Sequence, residues 1–160
     1  MKLSAQGIIF MLILSGALFL WGCSGESSGD TGAQTQTAQS SNPDGLTDWE
    51  LKNGIGPIKS PVTLGDIDQA LVTRGGEVFE AKCTACHKMN ERYIGPPLDD
   101  VTSKRTPEYV MNMILNPDEM TKKHPDAKKL LAEYLAPMTF QNISEDDARA
   151  LLEYFRANAK

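Results

Sequence analysis

Five consecutive residues, Cys83-Thr84-Ala85-Cys86-His87, hold the densest chemistry in the chain. Two thiols separated by two residues can add across the two vinyl groups on one edge of a haem, leaving two thioether bonds. The imidazole directly after the second thiol can then swing beneath the ring and reach the iron. This C-x-x-C-H spacing is the attachment signature of haem c. One residue fewer between the cysteines brings the sulfurs too close for the two vinyls. A histidine displaced by one place no longer sits beneath the metal. Two other chemistries use similar residues. A zinc site requires four N or S ligands, and only His124 and Cys23 remain to complete one. A thioredoxin-like thiol pair sits near a βαβ pattern, and no strand-rich alternation surrounds this one. The spacing therefore predicts one covalent haem c on Cys83 and Cys86, with His87 as an axial ligand of its iron.

The third cysteine, Cys23, closes a different pattern. Lys2 gives a short positive start, and Ile8 to Leu20 is an apolar run broken by Ser15 and Gly16. That run is short for a membrane-spanning helix and has the length of a signal-peptide core. Leu20-Trp21-Gly22-Cys23 resembles the lipobox of bacterial lipoproteins, although Trp21 stands where a small or aliphatic residue is usual. The resemblance implies cleavage after residue 22 and lipidation of Cys23; an uncleaved N-terminal anchor is the alternative. Either places the rest of the chain on the outer side of a membrane, the periplasmic side of a bacterial envelope, where haem c is assembled. Ser24 leans towards the outer membrane without deciding between the two. With every cysteine assigned, none is left for a disulfide.

Charge narrows the partners. The formal net charge is −5, from 16 basic and 21 acidic side chains. A nucleic-acid partner requires a basic face, so none is expected. A soluble partner with a basic docking patch suits the balance better.

Three further segments follow the signal at 1–22. Residues 23–45 are dominated by Ser, Gly, Thr, Gln, Ala, Asn and Asp and can form no core, which predicts a flexible lipid-anchored tether. Composition changes at Leu46. Trp49, Leu51, Ile55, Ile58, Val62 and Leu64 appear among Asn53-Gly54, Gly56-Pro57 and Pro61. The glycines and prolines forbid a long helix, and the apolar residues are too many for a solvated linker. Residues 46–65 therefore read as an irregular extension packed on the domain, anchored by Trp49. Residues 66–160 read as the domain itself.

Within 66–160 the periodicity is helical throughout. Asp66 or Asp68 can cap a helix running to about Lys82, with Leu71, Gly75, Val78, Phe79 and Lys82 on or near one stripe. Glycine costs about 1 kcal/mol against alanine inside a helix, so Gly75 points to another helix crossing closely over it. Thr106-Pro107-Glu108 starts a second helix, which ends before Asn116-Pro117. His124-Pro125-Asp126 starts a third, with Leu130, Leu131, Tyr134 and Leu135 expected inward. Ser144-Glu145-Asp146-Asp147 resembles a capping box and opens the last. Its stripe is Ala148, Leu151, Leu152 and Phe155, with Tyr154 on the flank.

These residues carry a family resemblance. Residues 66–160 resemble a class I c-type cytochrome, which implies a small all-α fold of three to five helices wrapped around one haem c. In that family the glycine of the helix before C-x-x-C-H lies against an aromatic of the last helix, which implies contact between Gly75 and Tyr154. Gly95-Pro96-Pro97-Leu98 is similar to the family's Gly-Pro-x-Leu stretch, which implies that the Pro96 carbonyl accepts a hydrogen bond from His87; a stiff turn is the plainer reading. Arg105 stands where the family often has an arginine contacting a haem propionate; a solvated arginine is the alternative.

Function then turns on the second axial ligand. Histidine with methionine gives a low-spin iron suited to one-electron transfer, whereas an open sixth position favours gas binding or peroxide chemistry. Met89 is too near His87 to reach the other face. Met113 is explained as core, and Met111 as exposed or at an edge. Met138 follows Pro137 in the loop before the last helix, the place where the family carries its ligand. Met120 and His124 remain as alternatives. The expected role is a membrane-tethered carrier between a quinol-oxidising donor and a terminal reductase or oxidase. The layout resembles small lipoprotein cytochromes that accompany respiratory reductases, including nitrous-oxide reductase. A haem peroxidase or reductase, or a gas-binding haem protein similar to cytochrome c′, is the other reading.

Overall fold

The computed structural model describes residues 43–160. Cys23, the signal segment and nearly all of the tether lie outside the described residues. Seven helices and no strand occur among the described residues. They are α1 (Asp48–Asn53), α2 (Gln69–Lys82), α3 (Val101–Lys104), α4 (Pro107–Leu115), α5 (Pro117–Lys123), α6 (Pro125–Tyr134) and α7 (Glu145–Ala157).

The caps explain the boundaries. Asp68 accepts from the backbone of Ala70 and Leu71, fixing the start of α2. Thr106 accepts from Tyr109 N, and Pro107 takes the first helical position of α4. At α7 the Ser144 hydroxyl accepts from Asp147 N at 3.1 Å and donates to the Asp147 carboxylate at 2.7 Å. This is one arm of a capping box. The full reciprocal box belongs to α1, between Thr47 and Glu50.

Helices α2 and α7 cross at the glycine. A β-carbon on Gly75 would lie 2.1 Å from the Ala150 carbonyl oxygen and 2.8 Å from the Tyr154 β-carbon. The expected contact with Tyr154 is present, and the backbone of Ala150 comes closer still. Phe79 packs on Tyr154 at 5.3 Å between centroids and edge-on to Phe155 at 5.9 Å. Arg74 joins Asp147 across the pair at 2.7 Å. Around this crossing Ile58, Val110, Met111, Ile114, Leu151 and Leu152 form the main core.

The extension departs from the sequence reading. Leu46, Ile55 and Ile58 are its buried anchors, and Trp49 is only half-buried. Ile55 and Leu46 join Tyr109, Met120 and Ala127 in a second core cluster. Asn112 is fully buried on α4 and ties the extension down. Its side-chain amide donates to the Asn53 and Ile58 carbonyls and accepts from Ile58 N at 2.9 Å. Glu153, also fully buried, holds Arg156 at 2.7 Å, and Arg156 reaches the Gly65 carbonyl.

Leu135 is a second departure. It is 84% exposed and caps α6 in the left-handed region at φ 54°. Ala136 precedes Pro137 and is disfavoured in helical backbone, which suits the chain's turning out at Leu135, earlier than the apolar periodicity indicates.

Candidate haem site

A cavity of about 470 Å³ opens between the C-x-x-C-H segment and helices α4 and α6. Its walls are mainly apolar, in the size range of small-molecule and cofactor sites. Cys83 and Cys86 lie on one wall, at the end of α2, where Cys83 is its C-cap. Both thiols are free, Cys83 half-buried and Cys86 exposed. Burial, then the neighbouring Cys86, pushes the Cys83 thiol up to about 11. That is opposite to the depressed thiol of a redox-active pair. Among the described residues no group of three or more His, Cys, Asp or Glu is placed to hold a metal ion.

His87 is set by its neighbours. Its backbone N–H donates to Cys83 O at 2.8 Å, closing the turn that begins at the first thiol. The Nδ1–H donates to Pro96 O at 3.0 Å. A carbonyl can only accept, so the proton is on Nδ1 and the lone pair of Nε2 is left for a metal. Gly95 presses on the ring: a β-carbon there would lie 2.5 Å from Cε1. The Gly95-Pro96 segment therefore fixes both tautomer and orientation, more than a stiff turn would.

Met138 lines the cavity from the loop between α6 and α7. Met113 also lines it, whereas Met111 is 3% exposed within the main core. Met111 thus corrects the sequence reading, which had it exposed or at an edge, while Met113 also packs on the second core cluster. Met120 is not on the wall. It is fully buried in α5, and its sulfur accepts the Ile55 N–H at 3.0 Å. His124 is engaged at both nitrogens, with Nε2 donating to Leu51 O at 3.1 Å and Nδ1 accepting from Asp126 N. Met120 and His124 are thus consumed by packing the extension.

Arg105 also lines the cavity, half-buried and engaged on both sides. Its Nη1 pairs with Asp126, and its guanidinium stacks 4.6 Å from the Tyr109 ring centroid. The hydrogen bond from Arg105 holds the Asp126 carboxyl below its ordinary range. Asp126 and Tyr109 were not singled out in the sequence. Arg105 lies in extended backbone between α3 and α4, so no helical spacing in the sequence linked it to Tyr109.

The cytochrome c family model matches residues 72–158. The chain belongs to the cytochrome c family. It is similar to a solved cytochrome c from Rhodothermus marinus, at 47% identity and a TM-score of 0.66, covering 74% of this chain and 97% of that one. An engineered form of that cytochrome, Rma TDE, matches at 49% identity and TM-score 0.65, covering 69% and 96%. The same engineered protein bound to a carbene intermediate matches at TM-score 0.62, again at 49% identity over 69% and 96%. No curated protein matches. Residues 72–158 are just over half of the chain, so a match over 74% takes in part of the extension before α2 as well.

This cytochrome binds one covalent haem c and is of the electron-transfer class. The residues present fit that group: a mainly apolar cavity, two thiols on its wall and an imidazole fixed with Nε2 available. When bound between histidine and methionine, haem supplies a one-electron couple with a raised potential. The chain's own part is to line the cavity with mainly apolar side chains and to orient His87.

Proposed function

We propose that this cytochrome is a membrane-tethered carrier of single electrons between respiratory partners outside the cytoplasm. In this reading haem is bonded to Cys83 and Cys86, His87 and Met138 are the axial ligands, Pro96 orients His87, and Arg105 lies beside the propionates. The observation that carries the reading is that Met138 shares a cavity with His87 while Met120 and His124 are buried elsewhere. Two protein ligands leave no coordination position for peroxide, nitrite or a gas. The tether rests on Lys2, the apolar run and Leu20-Trp21-Gly22-Cys23. A quinol-oxidising complex is the donor in this scheme, and a terminal reductase, such as nitrous-oxide reductase, or an oxidase is the acceptor.

Absorption spectra of the purified holoprotein test the ligand set. Met138→Ala should remove the far-red methionine-to-iron band, lower the reduction potential and admit carbon monoxide. If that variant keeps the band while Met113→Ala loses it, the ligand is on α4. Carbon monoxide binding by the wild type would return the haem-enzyme or gas-binding alternative. Cys23→Ser should abolish acyl labelling and release the protein from membranes; persistent labelling overturns the tether.

A further inference from the structure

The loop that carries Met138 is bracketed by unusual backbone. Leu135 and Asn142 are the non-glycine residues at positive φ among the described residues, at 54° and 53°. A side chain holds that conformation when the surrounding structure imposes it. The Leu135 side chain is 84% exposed and imposes nothing. Met138 and Ile143 pack against the main core. Among the described residues the hydrogen bonds of residues 136–143 stay inside the loop, from Gln141 Nε2 to Thr139 O and Oγ1.

The restraint on the exit from α6 comes from the other side of the cavity. Arg92 lies in the segment after C-x-x-C-H. That segment is tied to the haem-binding turn, because Gly95 N–H donates to Cys86 O at 2.8 Å and His87 Nδ1–H donates to Pro96 O. The Arg92 guanidinium makes three contacts with the last two residues of α6. Nη1 donates to Glu133 Oε1 at 2.9 Å, and Nη2 donates to the Glu133 carbonyl at 3.0 Å. Its central carbon lies 4.0 Å from the Tyr134 ring centroid. The Glu133 carbonyl is one of the last-turn acceptors that a helix leaves without an internal partner, and a cation is favoured there. An arginine fork can donate twice and stack at once, which a lysine cannot. Ile94, Glu133 and Tyr134 all line the cavity, so the bridge joins two of its walls.

We propose that Arg92 is a positioning residue for Met138. By clamping the end of α6 to the segment that orients His87, it keeps the Met138 loop at the cavity. The inference rests on Met138 as axial ligand, and the Met138→Ala spectrum checks that reading separately.

The test is imidazole binding to the ferric holoprotein. Imidazole competes with the methionine, and loss of the far-red band reports its apparent affinity. Arg92→Gln should raise that affinity about five-fold or more, the worth of an exposed ion pair with a stacked cation. Arg92→Lys keeps the charge without the fork or the stacking and should fall between. Arg74→Gln breaks the exposed Arg74–Asp147 pair, which is not on the cavity wall, and should leave the affinity unchanged. Salt screens exposed pairs, so wild-type affinity should rise with ionic strength and that of Arg92→Gln should stay flatter. An affinity and salt response in Arg92→Gln equal to the wild type, or an equal rise in Arg74→Gln, overturns the proposal. Should Arg92→Gln fail to mature, Glu133→Gln decides, because it removes the charged partner of Nη1. A raised affinity with a flatter salt response is expected there, and an unchanged affinity overturns the proposal equally.

Discussion

At the scale of single residues, the site depends on small groups placed against one imidazole. Gly95→Ala puts a methyl group where only 2.5 Å separates it from His87 Cε1. The ring must tilt, and its bond to Pro96 O weakens. That bond raises the basicity of the ligand, and a more basic ligand favours ferric iron, so the variant should have a higher midpoint potential and altered ferric g-values. An unchanged potential and EPR spectrum would mean that the loop absorbs the methyl without moving the ring. Asp126 gives a second prediction. Its carboxyl is depressed in the folded state, chiefly by the Arg105 hydrogen bond. Its stabilising contribution is therefore present above the ordinary carboxylate value, near 3.8, and is lost as pH falls through the lower folded value. Asp126→Asn should flatten the acid limb of a stability–pH curve below about pH 4; a limb of unchanged steepness would assign the acid loss to other carboxylates. The Arg105–Asp126 pair was not legible in the sequence, because 21 residues separate its members and only the seating of α6 brings them together. The misplacement of Met111 has a similar origin. Residues 108–112 of α4 are buried all round, so apolar periodicity could not say which methionine faces the cavity.

At the scale of elements, α2, α4, α6 and α7 were readable because each has a strong start signal and a regular stripe. The short helices were not. The Thr47-x-x-Glu50 box that starts α1 was visible in the sequence, but Asn53-Gly54 and Gly56-Pro57 masked it as loop. Helix α5 restarts directly after α4 at Pro117, so its seven residues look like a turn. Two predictions test how these elements are joined. Gly75→Ala sets a β-carbon against the rigid Ala150 carbonyl, so α2 and α7 must part. Overpacking of this kind costs about 1–3 kcal/mol, and chemical denaturation of the holoprotein should show that loss. A neutral result would mean that the crossing is looser than the contact implies. Asn112→Ala strands the carbonyls of Asn53 and Ile58 and the N–H of Ile58. At about 1–3 kcal/mol for each buried group left unpaired, this one change should destabilise more than Gly75→Ala. A smaller effect would show that the extension finds other partners.

At the scale of the whole molecule, α4 carries two loads. One side meets the extension through Glu108 and Asn112, with Glu108 accepting from Val62 N at 2.6 Å. The other side gives Tyr109, Val110 and Met113 to the cavity wall. The extension therefore bears on the haem site without touching it, and residues 66–160 should not behave as the intact unit. Leu46, Ile55 and Ile58 are each about 5–6% exposed. Burying a side chain of this size is worth about 1.5–3 kcal/mol, and a whole domain is stable by only about 5–15 kcal/mol. Removing residues 43–64 thus takes away a large share of the total. The covalent haem should remain, since its attachment needs only the Cys83-to-His87 segment. The melting temperature should fall by roughly 10 °C or more, even at about 2–4 °C per kcal/mol, the figure for larger domains. The methionine-to-iron band should be lost at a correspondingly lower temperature, because α4 loses support on its back face. Thermal scans of full-length and shortened holoprotein, read at that band and by far-ultraviolet circular dichroism, make the comparison. If both chains melt together, the extension is not part of the folded unit, and the Asn112 hydrogen bonds contribute little to the wall of the haem cavity.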